Sequence, residues 1–304
     1  MYNTASNSIV KFHEAGTNQM INTPLLIVIL LIVDSVHFVF ARMLVPHIHP
    51  SVSAFFVLFI ATLEVGFYGI ATKQLKFEHF LKNAWFFSGI GFLIAASTNL
   101  NYAAVAFIDP GTASLLAQTG SIWSLGFGLF WLKEKLTHAQ FLGAFFAMMG
   151  VFILTYQAGE YLQIGSFMVL SGSLLYSLHS GITKRYGEGI DFVNFFFFRL
   201  ASTAAFLLLF ASIQQAFTWP TRTVWGYLVL VGTIDVVVSR SVYYLALRRL
   251  DLSIHTLILT LSPVAAVIWT IIFFDLFPTT RQIIGGIIVI LGVFFVGKHR
   301  QTKQ

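Results

Sequence analysis

Residues 97–154, moved along the chain by 142 positions, fall on 239–296 without a gap, and eleven of the 58 pairs are identical. Among them are Ser97/Ser239, Tyr102/Tyr244, Asp109/Asp251, Gln140/Gln282, Gly143/Gly285 and Gly150/Gly292. Apolar identities are cheap in a greasy chain, whereas polar residues and glycines in register are not. The same shift lays Ser35 and His37 on Ser177 and His179. Each copy holds five apolar segments. An odd number of crossings turns the second copy upside down relative to the first, and inverted repeats of this kind are a signature of secondary transporters.

The segments lie at about 24–44, 52–72, 84–106, 112–132, 139–156, 163–183, 193–213, 224–246, 252–274 and 281–297. Each is close to the roughly 20 residues that a bilayer core demands. The chain is 57% apolar and only 10% charged, with mean hydropathy +0.81, against about 25% charged residues in an ordinary soluble domain. The expected fold is an all-α polytopic membrane protein, ten transmembrane helices arranged as two inverted five-helix repeats. Residues 24–157 form the first repeat and 163–297 the second, flanked by tails at 1–23 and 298–304. The first helix carries Asp34 at its centre and no small-residue cleavage site behind it, so it is expected to be an anchor and not a removable signal.

Net charge is +6, but its distribution serves topology. With the N-terminus inside, cytoplasmic segments hold Lys11, Lys73, Lys76, Lys82, Lys133, Lys135, Lys184, Arg185, Arg248, Arg249, Lys298, Arg300 and Lys303, and the other face only Arg42, Arg222 and Arg281. This is the positive-inside bias. It puts both termini in the cytoplasm, expected for the inner (plasma) membrane of a bacterium, with lipid as partner and no nucleic acid. Trp85 and Trp131 fall at one interface and Trp219 and Trp225 at the other, as an aromatic belt requires.

Ionisable groups at membrane depth are costly and normally face a partner or a wet cavity. Five lie inside the segments: Asp34, Glu64, Arg199, Asp235 and Arg240. Under the 142-residue shift they meet Tyr176, Phe206, Val57, Leu93 and Thr98, so none of the five charges is duplicated. A scaffold residue belongs in both copies, and a costly charge present once points to a substrate or ion. Asp34 and His37, three residues apart, can share one helix face and a proton. Arg199 and Arg240 either receive a substrate carboxylate or snorkel to headgroups. Asn99, Asn101 and Tyr102, with Tyr243, supply neutral hydrogen-bonding groups that bind ligand or tie helices together. Tyr176, opposite Asp34, and His179, opposite His37, complete the candidate substrate site. Gln118, His255 and Ser262 before Pro263 are weaker candidates.

Enzyme signatures are missing: no H-E-x-x-H, no G-x-S-x-G, no P-loop and no G-x-G-x-x-G. With no cysteine in the chain, disulfides, thiolate metal sites and a cysteine nucleophile are excluded. No cofactor or metal is expected. Without a P-loop the energy source is a gradient or an exchange, and protons become a candidate partner.

The junctions ASLLAQTGSIWSLGFGLFWLKEKLTHAQFLGAFFAMMGVFIL and HTLILTLSPVAAVIWTIIFFDLFPTTRQIIGGIIVILGVFFV resemble the EamA family of the drug/metabolite transporter superfamily. A small-residue helix, an apolar run, an acid, a helix break, Gln, Gly and Gly-Val follow one another in that family's order. The resemblance covers about residues 24–297 and implies a central cavity enclosed by helices 1–4 and 6–9, with helices 5 and 10 peripheral. Glu134 matches the family's acidic position. In the second copy Asp275 stands one residue early, and Ser121 replaces the proline found opposite at Pro263. The expected function is a carrier for a small organic metabolite, such as an amino acid or nucleoside-like solute, working by alternating access. The rivals are an integral-membrane enzyme acting on lipid or prenyl substrates and a non-transporting receptor or scaffold. Glycine spacings permit close helix contact within or between chains and leave the oligomeric state open.

Overall fold

The computed structural model describes residues 22–44, 46–104, 107, 116–155, 164–262, 264–265, 269 and 280–298. All secondary structure among them is helical: α1 Thr23–Asp34, α2 His37–Leu44, α3 Pro50–Ala71, α4 Phe77–Lys82, α5 Ala84–Ala104, α6 Thr119–Gly126, α7 His138–Thr155, α8 Ile164–Tyr186 and α9 Phe192–Ile213. Then come α10 Arg222–Arg249, α11 Leu252–Leu259 and α12 Thr280–Lys298. Two stretches wind as π-helix: Phe127–Trp131, which continues α6, and Gly232–Val238, inside α10. The predicted apolar segments coincide with these helices over the described residues. By length and composition α3, α9 and α10 are each able to cross a membrane. Pro110, Gly111, Pro263 and Asp275, and most of both tails, lie outside the described residues.

The predicted first span is not continuous. α1 ends at Asp34 and α2 begins at His37, with a turn at Ser35–Val36 between them. Ser35 Oγ donates to the carbonyl of Ile32 at 2.9 Å, the kind of local side-chain bond that competes with helix propagation.

Helix ends follow from ordinary capping chemistry. Pro50 opens α3, where a missing N–H costs nothing. Asp191 caps α9, accepting the Asn194 N–H at 3.0 Å. α3 and α9 close alike. Lys73 and Gln215 adopt left-handed backbone, at φ 55° and 51°, and the next amides reach back five residues, Gln74 to Gly69 and Ala216 to Ala211. Every member of one closure lies 142 positions from its counterpart.

The pair α7 and α12 fixes relative direction. A Cβ on Gly150 would lie 2.6 Å from the Val289 nitrogen and 2.8 Å from the Gly285 oxygen. A Cβ on Gly292 would lie 2.5 Å from the Ala147 nitrogen and 2.6 Å from the Gly143 oxygen. These are the same contacts with the copies exchanged. Each glycine therefore nests between the residues three and seven positions before its own equivalent. Parallel helices cannot satisfy both contacts, because each would have to be displaced ahead of the other; antiparallel helices satisfy both at once. Only glycine permits backbones this close. The outer faces of both helices carry exposed apolar residues such as Phe145, Phe152, Ile287 and Phe294, while α3 and α9 pack together at the centre with α5 and α10 beside them.

Candidate functional site

The turn at Ser35–Val36 faces the irregular part of α10, and the buried charges meet there. Arg240 Nη1 donates to Asp34 Oδ1 at 3.0 Å and to Tyr176 Oη at 3.3 Å. Asp34 and Tyr176 are repeat equivalents, so Arg240 bridges the two copies of one position. Asp34 Oδ2 accepts from Ser262 Oγ at 3.0 Å. His37 Nδ1 lies 2.7 Å from Asp235 Oδ2. The expected pairing of Asp34 with His37 is thus corrected. The chain turns between them, and each finds its partner about 200 residues away on α10, whose opposite charges outbid a three-residue neighbour.

Arg199 occupies the interior of α9 at 1% exposure. Its guanidinium lies between the rings of Phe196 and Tyr244, 5.0 and 4.9 Å from their centroids, and Nη1 donates to Tyr244 Oη at 3.2 Å. Nε and Nη2 have no hydrogen-bond partner. Both arginines are held inside the protein: Arg199 is buried against the rings of Phe196 and Tyr244, and Arg240 is paired with Asp34. Tyr244 Oη lies 2.7 Å from His179 Nε2, and His179 Nδ1 contacts the Tyr176 carbonyl. Tyr243 Oη pairs with Ser180 Oγ at 2.9 Å. His37 meets the ring of Tyr102 edge-on at 6.5 Å, as His179 meets that of Tyr244 at 6.0 Å. These two ring pairs are also repeat equivalents.

A cavity of about 90 Å³ is lined by His37, Asn101, Tyr102, Tyr176, Arg199, Asp235 and Arg240, with Val57, Leu58, Ile94, Ser97, Thr98 and Val236 completing the wall. Besides the two Arg199 nitrogens, Asp235 Oδ1 and Asn101 Oδ1 are buried without a partner. Asn101 is pressed against the close backbone of Gly172, where a Cβ would lie 2.6 Å from Oδ1. Unpaired buried polar atoms are rare in native proteins and ask for a ligand or water. Here they are of both kinds, donors on Arg199 and acceptors on Asp235 and Asn101.

Two expected members lie elsewhere. The side-chain amides of Asn99 and Gln214 each hydrogen-bond Ser51 Oγ at 2.7 Å; this cluster ties α3, α5 and the end of α9. Glu64 accepts from Thr233 Oγ1 at 2.7 Å and lines a separate cleft of about 1280 Å³ with Lys73, Lys76, His79, Asp191 and Arg249. Its helix position turns it to the other side of α10. Tyr243 and His179 stand one contact behind the cavity wall. His255 packs edge-on against Tyr243, 4.6 Å between centroids, and Gln118, at the start of α6, is not among the residues lining the cavity.

Two contributors were not anticipated. Thr98 lines the cavity, and its signal was available, because it is the repeat equivalent of Arg240. Glu134 caps α11: its carboxylate accepts the N–H of Leu252 at 2.8 Å, the N–H of Ser253 at 3.0 Å and Ser253 Oγ at 2.6 Å. A carboxylate at a helix N-terminus is favoured by the peptide dipoles, and this one fastens the end of α6 to the start of α11. Among the described residues no group of three or more His, Cys, Asp or Glu side chains is placed to hold a metal ion.

Comparison with known proteins agrees with this architecture. A crystal structure of another protein superposes with TM-score 0.77 at 19% identity, covering 92% of this chain and 98% of its own, which establishes a shared fold. The uncharacterized transporter YdfC of Bacillus subtilis is 23% identical over 191 residues, 62% of each chain. A "probable terminal-alkyne amino-acid exporter" of Streptantibioticus cattleyicolor is 24% identical over 210 residues, 67% of this chain and 69% of its own length. The EamA-like transporter family matches over residues 22–156 and again over 163–298. Two successive matches spanning nearly all of the sequence place this chain in the EamA-like transporter family, a family of integral membrane transporters.

Proposed function

We propose that this transporter is a secondary carrier for a small zwitterionic organic solute, of which an amino acid is the simplest, operating by alternating access in a bacterial inner membrane. One observation carries the reading: the residues lining one cavity include Arg199, with two unpaired donors, and Asp235 and Asn101, each with an unpaired acceptor. A carboxylate suits the guanidinium, which can bind it through two parallel bonds. An ammonium suits the two oxygens. At about 90 Å³ the cavity is far below the roughly 300–1,000 Å³ of drug-sized pockets, so it holds the polar head of such a solute and does not accommodate a nucleoside in this conformation.

Two inverted five-helix halves, 24–157 and 163–297, make ten crossings in this account. It is supported by the duplicated closures at Lys73 and Gln215, by the antiparallel crossing of α7 and α12, and by the duplicated His–Tyr ring pairs. Rocking of the halves exposes the cavity to each side in turn. Both termini face the cytoplasm. The His37–Asp235 pair is the proton-coupling element, since it joins the first half to the second and sets an imidazole, which can both take and give a proton, against a carboxylate.

Purified protein in liposomes is expected to accumulate radiolabelled neutral amino acids above empty vesicles; an enzyme or a receptor would accumulate none. An imposed pH gradient is expected to raise the initial rate, and His37→Ala to remove that response. Uptake indifferent to the gradient would leave a facilitator or an exchanger and refute the coupling.

A further inference from the structure

The 142-residue register does not extend to the whole of α10. In α5 the buried positions Phe87, Ile90, Gly91, Ile94 and Ala95 are matched by buried Leu228, Val231, Gly232, Asp235 and Val236, a shift of 141. From Ser97 onward the buried Ser97, Tyr102 and Ala104 are matched by buried Ser239, Tyr244 and Ala246, a shift of 142. Contacts agree. A Cβ on Gly91 would press on Ser202 and one on Gly232 on Ile60, and Ser202 and Ile60 are themselves 142 apart. One residue has therefore been added to α10 between Val236 and Ser239.

The backbone absorbs it by winding wide. Gly232–Val238 is π-helical, and the Ser239 N–H reaches Ile234, five residues back. Single extra residues held as π-bulges recur at functional sites. Two consequences fall on the cavity. Asp235 takes the place of Ile94, so the acid stands where the first half has a buried aliphatic side chain. Asp235 also lies inside the wide turn, five residues before Arg240, whereas the corresponding Ile94 and Thr98 of α5 stand four apart on a regular helix. Symmetry also fails just after the bulge: Ser97 Oγ donates to the Gly172 carbonyl at 2.7 Å, but Ser239 Oγ is buried without a partner.

We infer that the residue added to α10 is a positioning device for the substrate-reading acid: it places Asp235 inside a wide turn, with one oxygen on His37 and the other unpaired at the cavity wall. Its benefit is functional, since a π-turn forgoes regular hydrogen bonds that α5 keeps. The transport part of this inference rests on the proposed carrier function; the register part does not.

Val238 is 41% exposed, so deleting it removes one backbone unit and little packing. The deletion is expected to restore a regular helix like α5 with both flanks in register. Its melting temperature should equal or exceed that of the parent, while uptake of radiolabelled neutral amino acids in liposomes falls at least about tenfold, the worth of one charge-assisted hydrogen bond. Deletion of Leu93 from α5, which has no residue to spare, is expected to abolish folding. Parent-like uptake by the Val238 deletion overturns the inference, as does a lower melting temperature, or equal tolerance of both deletions. If the parent carries no amino acid, the carrier function fails by itself, and the two melting temperatures still decide whether α10 holds an added residue.

Discussion

The Arg199→Met protein is expected to lose about a hundredfold in the uptake of neutral amino acids while its melting temperature does not fall. Arg199 takes no part in the ion pairs His37–Asp235, His79–Asp191, Glu78–Lys82 and Asp34–Arg240. A buried cation lacking a counter-charge costs several kcal/mol. The rings of Phe196 and Tyr244 return about 1–2 kcal/mol of that. Removing the guanidinium therefore relieves more than it breaks. A carboxylate held by two charged bonds is worth about 3 kcal/mol, which is roughly a hundredfold in affinity at 1.4 kcal/mol per decade. Arg199→Lys keeps the charge but not the planar fork, and should restore little. Parallel loss of stability and uptake in Arg199→Met would show that the arginine is a strut of α9 and not a reader of substrate.

The pair Asp34–Arg240 should behave in the opposite way. Its side chains are only 18% and 16% exposed, at an N–O distance of 3.0 Å. Taking away Asp34 leaves the Arg240 cation hydrogen-bonded to the Tyr176 phenol and over the Tyr243 ring. Asp34→Ala is expected to cost about 3 kcal/mol, a drop of roughly 6–12 °C at about 2–4 °C per kcal/mol. Asp34→Ala combined with Arg240→Met removes both charges and should recover most of that loss. Transport stays lost in the double variant, since the bridge between the two copies is gone. Additive melting-temperature losses would mean the two groups are not coupled.

These contrasts also show what could be read from residue order. Glycines and polar identities announced the duplication, because Gly143, Gly150 and their partners have a backbone contact to protect. Unduplicated charges announced Asp34, Asp235, Arg199 and Arg240, because charge at membrane depth has no packing excuse. Spacing failed between Asp34 and His37, where a local rule assumes a helix that Ser35 interrupts. Glu64 satisfied the same criterion as the others yet faces a different cleft, since burial of a charge does not say which side of α10 it sees. The residue added to α10 was hidden: positions 84–96 and 225–238 are so largely apolar that a one-residue change of register alters few recognisable matches. Only the alternation of buried and lipid-facing positions exposes it.

Everything rests on the reversal of the second half, and Lys73 and Gln215 test it directly. They are exposed, they end α3 and α9 with the same left-handed turn, and they stand 142 residues apart. The chain contains no cysteine, so Lys73→Cys and Gln215→Cys each give a single reactive thiol without further changes. In intact cells a membrane-impermeant maleimide is expected to label position 215, and to label position 73 only after the membrane is permeabilised. Labelling of both positions from the same face would contradict the inverted architecture and, with it, the shared cavity.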